Sequence, residues 1–180
     1  MTICVKDREY LFGKIAHGEM LPSEFGEIVK GCWIQLPQHF SNIQLDGFVV
    51  IPNHVHGIIV IIDDMVGAIH ESPLRMTIIE RRRMLLPKII GRFKMNSAKK
   101  INVKRTTPGV SVRQRNYFEH IIRNEKSFNR IREYIAMNPE QWEFDRENAA
   151  CKGTDELDEW LLSGGTQLVR NQSRMKKLGI

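Results

Sequence analysis

The sequence is poor in cysteine and has no long apolar segment. Its 180 residues include three cysteines, Cys4, Cys32 and Cys151, which are scattered and form no CxxC pair. Neither a disulfide framework nor a cysteine zinc site is indicated, and we expect reduced thiols. The longest uninterrupted apolar stretch, residues 57–62, is far shorter than the roughly 20 residues of a bilayer span, and no signal peptide opens the chain. These absences predict a cytoplasmic protein with no membrane partner.

Acidic residues are absent from one long stretch, which makes the charge distribution uneven. The formal net charge is +6, from 27 Lys and Arg against 21 Asp and Glu. Between residues 81 and 118 there is no Asp or Glu, and we call this stretch the basic block. It is either a solvated face or a surface for a polyanion, where each neutralised phosphate releases counterions. The residues predicted to contact such a polyanion are Arg81, Arg82, Arg83, Arg92, Lys94, Lys99, Lys100, Arg113 and Arg115.

Apolar periodicity alternates along the chain between strand-like and helix-like. The predicted strands are residues 2–5, 48–51, 54–62 and 116–122. The predicted helices are residues 22–33, 84–101 and 125–138, with Ser23 and Asn124 as N-caps of the first and last. This order predicts an α+β fold, a ferredoxin-like βαββαβ split unit with a mainly antiparallel sheet and helices on one face. The last helix, which carries Tyr134, is an addition to that unit.

Length and charge pattern predict one domain followed by an extension. About 150 residues can bury one good core, and we predict a domain over residues 1–145. Its first strand is shortened, because the chain begins almost inside it. Residues 146–180 are first acidic and then basic, and we predict that they form a C-terminal extension.

His54 and His56 stand two residues apart in the predicted strand 54–62. A period of two places both imidazoles on one face of the sheet, which is a spacing of metal ligands. Apolar residues surround them on both faces, as in a buried central strand. The alternative is a pair of core histidines whose ring nitrogens are hydrogen-bonded to other protein groups.

Tyr134 and Asn138 stand four residues apart on the last predicted helix. They share a helix face and border the apolar stripe of Ile131 and Ile135, so docking of that stripe brings both towards the core. The structural alternatives are a packed aromatic and a helix-ending residue. Two neutral imidazoles and an amide oxygen would hold a divalent cation and leave positions for phosphate oxygens, with a tyrosine beside them to attack phosphorus.

Four short segments form a more specific pattern. They are REYLF at 8–12, IPNHVHG at 51–57, RNYFEHIIR at 115–123 and YIAMNP at 134–139. In this order they closely resemble the REP-associated tyrosine transposases, a branch of the HUH single-tyrosine transposases. The resemblance covers residues 2–145 and implies the ferredoxin-like fold. The sequence departs from the family in its short N-terminus and in Arg113, which stands where the family usually has tryptophan.

The resemblance implies a metal-dependent DNA transposase or nuclease that cleaves and rejoins single-stranded, hairpin-containing DNA. The family's paired histidines bind Mg²⁺ or Mn²⁺ and map onto His54 and His56, and its polar residue four after the tyrosine maps onto Asn138. Tyr134 would be the nucleophile, forming a 5′-phosphotyrosine and releasing a 3′-OH. The implied partner is single-stranded DNA with a REP-like hairpin, contacted by the basic block. We expect a monomer or homodimer in the bacterial cytoplasm, associated with the nucleoid when bound.

Three alternatives stay open. Tyr117 is a rival nucleophile, although its strand-like segment has no polar residue four positions later. Histidine-triad nucleotide hydrolases also carry alternating histidines on a strand, but Ile58 takes the next position on that face. A non-catalytic module could bind single-stranded DNA hairpins through the basic block and cut nothing, with Phe93 or Tyr117 stacking on bases.

Overall fold

The computed structural model describes residues 1–62 and 84–151. Within these ranges the strands are β1 (Thr2–Cys4), β2 (Gly13–Ala16), β3 (Glu19–Pro22), β4 (Ile43–Ile51) and β5 (His54–Ile61). The helices are α1 (Glu24–Ile34), α2 (Leu85–Arg105) and α3 (Glu125–Met137). Arg81, Arg82 and Arg83 of the basic block and residues 152–180 of the predicted extension lie outside the described residues.

The main sheet is antiparallel and has the order β1-β5-β4. β4 and β5 form the predicted hairpin, with β4 beginning earlier than predicted. β1 pairs with the other edge of β5, where Thr2 lies opposite His56. The strand that carries both histidines is therefore central. Antiparallel sheets and three helices make an α+β architecture, which is consistent with a ferredoxin-like fold.

The segment predicted as a strand over 116–122 does not form a regular strand. Two isolated bridges, at Arg113 and Phe118, join this part of the chain to the outer edge of β1. Between them, the Lys94 ammonium donates hydrogen bonds to the main-chain carbonyls of Gln114 and Arg115, at 2.6 and 3.0 Å. The two bridges are three residues apart on the β1 side but five apart on the other segment, so no continuous ladder connects them. Residues 113–118 therefore run beside β1 as an irregular edge.

A small hairpin that the sequence analysis missed, β2 with β3, precedes α1. Its two-residue turn is His17-Gly18, and both residues have positive φ, 55° and 76°. Such a turn suits the twist of a hairpin and favours glycine in it. The apolar residues of β2 and β3 are too few to give a clear period of two, so the turn is the signal that could have revealed them.

The predicted helices are confirmed, with shifted ends. The Ser23 hydroxyl accepts from the Gly26 amide at 3.2 Å, so Ser23 caps α1 as predicted. Asn124 Oδ1 accepts from the Ser127 amide at 2.8 Å and caps α3 in the same way. α2 continues past its predicted end and stops at Thr106, whose φ is 54°. No helix in the described ranges has both the length and the apolar composition needed to cross a membrane.

α1 and α2 cover one face of the main sheet. The main apolar core lies beneath them and contains Trp33 of α1, Phe93 of α2 and Val55 of β5, each at most 2% exposed. Side chains alternate along a strand, so Val55 and Gly57 face these helices and the two histidines face the opposite way. The sheet therefore separates the main core from the histidine pair.

α3 covers the opposite face, the one that carries the histidines. Ile131 and Ile135, the predicted apolar stripe, pack against Ile58 of β5. The β4 ladder is interrupted between residues 45 and 48, and at this bulge Asp46 forms an ion pair with Arg132 at 2.8 Å. The bulge and the stripe together place the last turn of α3 next to the start of β5.

Gly57 is required by the close approach of Trp33 to β5. A Cβ atom built on Gly57 would lie 2.7 Å from the Trp33 ring and 3.2 Å from the Phe48 ring. These two rings stack on each other with centroids 4.6 Å apart, so neither can move aside easily. We expect Gly57→Ala to lower the free energy of unfolding by about 1–3 kcal/mol in urea denaturation, through overpacking.

Gly91 of α2 provides the matched control for this prediction. A Cβ atom at that position meets nothing within 4 Å. Gly91→Ala should therefore raise the free energy of unfolding by about 0.5–1 kcal/mol, because alanine is the better helix former. Equal effects of the two substitutions would show that the contact with Trp33 does not limit residue 57.

Candidate metal centre

The two histidines meet at the start of β5, beneath α3. His54 is fully buried and His56 is 8% exposed. Their Nε2 atoms are 2.8 Å apart. Two ligand atoms about 2.1 Å from an octahedral metal, at right angles to each other, lie about 3.0 Å apart. The two nitrogens are therefore spaced to share one cation.

Asn53 fixes the orientation and the tautomer of His54. The amide Nδ2 of Asn53 donates to the main-chain carbonyl of Glu147 at 2.6 Å, which turns its Oδ1 towards His54. That oxygen lies 2.8 Å from His54 Nδ1 and can only accept, so Nδ1 carries the proton. The lone pair of His54 is consequently on Nε2, the atom that faces His56. A hydrogen-bonded second nitrogen is the usual arrangement for a histidine ligand.

Thr2 plays the corresponding part for His56. Its hydroxyl lies 2.9 Å from His56 Nδ1, across the β1–β5 pair. A hydroxyl can donate or accept, so it is compatible with either tautomer of His56. When Nε2 of His56 is a metal ligand, Nδ1 carries the proton and donates it to Thr2. Both imidazoles are thus held at their outer nitrogens and turned towards one point.

Asp145 supplies an oxygen at that point. Its Oδ2 lies 3.5 Å from His54 Nε2 and 4.0 Å from His56 Nε2, and one ligand atom from each residue lies within 4.8 Å of the others. The other oxygen, Oδ1, accepts from the Glu147 amide at 2.7 Å. Burial alone would raise the pKa of Asp145, but hydrogen bonding with His56, the charge of His54 and the Asn138 amide hold it well below its usual value. The carboxylate is ionised and oriented as a ligand.

Asn138 borders the same three side chains from the end of α3. Its Nδ2 donates to Asp145 Oδ2 at 3.0 Å, and the side chain is almost completely buried. Its Oδ1 is buried and has no hydrogen-bond partner within the described part of the chain. A buried acceptor without a partner is costly and requires an explanation. The two imidazoles and the carboxylate fit a divalent cation, and the Asn138 amide that borders them has an oxygen free to accept a further contact.

Tyr134 lies one helical turn before Asn138 and contacts the histidine pair. Its ring centroid is 5.3 Å from that of His56, edge to face. The rival Tyr117 lies in the irregular segment beside β1, where burial, together with the charge and hydrogen bond of Glu119, raises its pKa to about 12. Of these two tyrosines, Tyr134 is the one in contact with the predicted metal ligands.

Comparison with known proteins gives a family but no activity. No family model matches the sequence. Over 149 residues it is 40% identical to an uncharacterized protein of Haemophilus influenzae, which covers 81% of this chain and 82% of that protein. The chain belongs to the same family as that Haemophilus protein. Because the family relationship names no reaction, the function has to be argued from the site itself.

Asp145 is the site residue that the sequence analysis missed. It is the last residue of the predicted domain over 1–145, in an acidic stretch that continues into the predicted extension. Asp145, Glu147 and Asn148 are all buried, so the predicted boundary at 145 falls inside a packed segment. Tyr10 of the REYLF motif holds this segment by donating to Asn148 Oδ1 at 2.7 Å, and Arg8 pairs with Glu147 at 3.1 Å. The charge pattern gave no signal for this packing.

Arg113 is a correction to the predicted polyanion contacts. Its side chain is buried, and its guanidinium lies 4.7 Å and 5.2 Å from the ring centroids of Phe93 and Phe12. Nη2 donates to the Ser97 hydroxyl at 3.2 Å. Burial lowers the pKa of Arg113 to about 9, despite the opposing effect of nearby cysteines. Arg113 therefore packs in the core under α2 and does not reach a surface where DNA could bind.

The other described residues of the basic block do not converge on the metal centre. Arg92, Lys94, Lys99 and Lys100 belong to α2, which lies on the face of the sheet away from the histidines. Lys94 is bonded to main-chain carbonyls, and Arg92 to the ring of His39 at 3.0 Å. Arg115 is exposed on the irregular edge beside β1. The basic block lies between the histidine strand and the tyrosine helix in the sequence, but its described residues are not close to the metal centre in space.

Metal binding is the first property to measure. Asp145→Ala removes a proposed ligand, whereas Asn53→Ala leaves all ligands present but releases His54 from its orientation. We expect Asn53→Ala to weaken Mn²⁺ binding about 10- to 100-fold and Asp145→Ala to weaken it more. Isothermal titration calorimetry on the two variants and the wild-type protein gives both values.

His39 is a matched control, since it is an exposed histidine that contacts α2 on the far face. His39→Ala should leave the Mn²⁺ affinity unchanged. Full Mn²⁺ affinity in Asp145→Ala would remove the carboxylate from the centre.

The buried histidine also makes stability depend on pH. Burial and the charge of His56 lower the pKa of His54 well below 6.5, although Asp145 opposes them. Below about pH 6.5, His54 binds a proton in the unfolded chain but not in the folded chain, so the free energy of unfolding falls as the pH decreases. With EDTA present, we expect the free energy of unfolding to fall by up to about 1.4 kcal/mol per pH unit between pH 6 and 5. Urea denaturation should show a shallower fall in His54→Gln, and identical slopes would contradict the assignment.

Proposed function

We propose that this protein is a metal-dependent DNA transposase or nuclease of the HUH single-tyrosine type, acting on single-stranded DNA that contains a hairpin. It cleaves and rejoins the strand through a 5′-phosphotyrosine on Tyr134. Its domain is a ferredoxin-like split unit in which residues 113–118 take the fourth strand position beside β1. We assign it to the bacterial cytoplasm, associated with the nucleoid when bound to DNA, as a monomer or homodimer.

The observation that carries this proposal is the meeting of α3 with β5. Tyr134 contacts the ring of His56, and Asn138 donates to Asp145, whose Oδ2 lies within 4.0 Å of Nε2 of both histidines. The alternative of a histidine pair satisfied within the core explains the bonds at the outer ring nitrogens. It does not explain why the buried Oδ1 of Asn138 has no hydrogen-bond partner among the described residues, or why a tyrosine contacts the ring of His56.

The reaction follows from the chemistry of the tyrosine. Tyr134 Oη attacks the phosphorus of a phosphodiester, and a bond from phosphorus to the phenolic oxygen forms while the bond to the 3′-oxygen breaks. The phenolic proton passes to a base or to water, and the departing oxygen takes up a proton to become a 3′-OH. Strand transfer is the reverse attack by a 3′-OH. One ester replaces another, so no ATP is needed.

We propose Mg²⁺ or Mn²⁺ as the cofactor. His54 and His56 would bind it through Nε2, Asp145 through Oδ2 and Asn138 through Oδ1. The carboxylate and amide oxygens suit either ion. When bound, such an ion polarises a phosphate oxygen as a Lewis acid. Tyr134, next to His56, is positioned to approach a phosphate held there.

A second candidate function is a non-catalytic protein that binds single-stranded DNA hairpins. It is favoured by the exposed Lys99 and Lys100, which lie on α2, away from the metal centre. Phosphate contacts by such residues need neither a metal nor a nucleophile. Binding would then survive EDTA and His54→Ala, and it would weaken as salt is added.

A covalent-adduct assay tests the proposed reaction. A labelled single-stranded oligonucleotide containing a hairpin is incubated with the protein and Mn²⁺, and products are separated under denaturing conditions. We expect cleavage and a protein-bound label with the wild-type protein, and neither when EDTA is present. Tyr134→Phe should abolish the adduct completely, because it removes the attacking oxygen while keeping the ring.

Tyr117→Phe is the control for this assay, since it removes the other candidate phenol and should leave the adduct intact. An adduct that persists in Tyr134→Phe and disappears in Tyr117→Phe would overturn the choice of nucleophile. Tight DNA binding without cleavage under any metal condition would favour the non-catalytic alternative.

A further inference from the structure

A cavity of about 700 Å³ opens between α3, β5 and the segment that follows Phe118. His56, Asp145 and Tyr134 line it, so the cavity and the candidate metal centre share three side chains. Its floor is apolar and includes Ile58 and Ile131. The volume lies within the range of about 300–1,000 Å³ typical of small-molecule sites. The space beside the proposed nucleophile is thus large enough to hold part of a substrate.

The walls of the cavity suit a flat, uncharged group. Phe118 lines it with a ring that is 43% exposed, and the guanidinium of Arg146 lies 5.8 Å from that ring. Nucleobases stack on aromatic rings and guanidinium planes in proteins that bind single strands. Glu119 and Glu125 also line the cavity and would repel a phosphate, but they do not exclude a neutral base. The lining therefore matches a base better than the sugar-phosphate backbone.

The cavity lies next to the place where the proposed reaction would occur. A base is joined to its phosphate through a single sugar, so a base next to the attacked phosphate must lie close to the metal centre. Arg123 and Arg146 line the same cavity and can contact the phosphates that flank such a base. We propose that this cavity binds an unstacked nucleobase of the single-stranded substrate, from a nucleotide adjacent to the phosphate that Tyr134 attacks. This inference rests on the proposed function and specifies how its substrate is held.

Abasic scanning of the DNA tests the inference. Tyr134→Phe protein, which cannot cleave, is titrated with hairpin oligonucleotides in Mn²⁺, each lacking one base of the single-stranded flank. We expect one or two neighbouring positions at which loss of the base weakens binding about 10-fold, the size of a lost stacking contact. A scan in which no position matters would overturn the proposal.

Substitutions in the cavity make the test specific. In the same Tyr134→Phe background, Ile122→Trp fills the cavity and Phe118→Ala, at an exposed side chain, removes its aromatic wall without burying a new group. Each should weaken binding of the intact DNA about 10-fold. Each should also abolish the effect of the missing base, because the protein substitution and the loss of the base remove the same interaction. Val103→Trp, at a 71% exposed position on α2, is the control and should change nothing. If both cavity variants keep the full 10-fold effect of the missing base, the base binds elsewhere.

The two proposals fail separately. Covalent adduct from protein with Tyr134 intact, together with a flat abasic scan, would keep the phosphotyrosine reaction and remove the base site. Coupling between the missing base and the cavity variants, without any adduct, would keep the base site and assign it to a DNA-binding protein. Thermal unfolding and Mn²⁺ titration of each variant establish that a loss of binding does not arise from a loss of fold.

Discussion

The side-chain amide of Asn53 makes the connection on which the metal centre depends. Its oxygen accepts a hydrogen bond from His54 Nδ1, and its nitrogen donates one to the carbonyl of Glu147. One amide therefore orients a ligand on the central strand and also secures the turn that presents Asp145. Without it, the imidazole could rotate and the carboxylate would lose its register with the histidines. A short polar residue at the entry to β5 thus joins two parts of the chain that are about ninety positions apart.

The main apolar core and the candidate metal centre lie on opposite faces of one sheet. On one side, Trp33 packs against Gly57 and fixes β5 from behind, within the main apolar core. On the other side, a much smaller apolar cluster around Ile58 and Ile131 holds α3, next to an open cavity. Rigid support on one face and space on the other are what a substrate-binding site needs. The same strand provides both, because its side chains alternate.

The sequence predicts local features well and spatial proximity less well. Helix caps, the β4–β5 hairpin and the face shared by His54 and His56 follow from short-range rules, and the structure confirms them. Asp145 could not be predicted in this way, because its place depends on bonds from Tyr10 and Arg8 to residues far along the chain. The prediction that Arg113 contacts a polyanion was wrong, because composition counts a charge but does not reveal that two aromatic rings surround it.

The two elements that carry most of the candidate site, β5 and α3, are attached to the domain with unequal strength, which has a consequence for local opening. Residues 54–56 of β5 are paired with β1 on one edge and with β4 on the other and are buried, so we expect their amides to be among the best protected from exchange with solvent. α3 is held by a smaller apolar cluster, by the partly exposed Arg132–Asp46 pair and by the hydrogen bond from Asn138 to Asp145, and we expect it to open at a lower free energy than β5. Tyr134 and Asn138 therefore lie on an element that is attached less firmly than the strand that carries the two histidines. Under the proposed function, a DNA strand could enter between the two elements without unfolding of the domain.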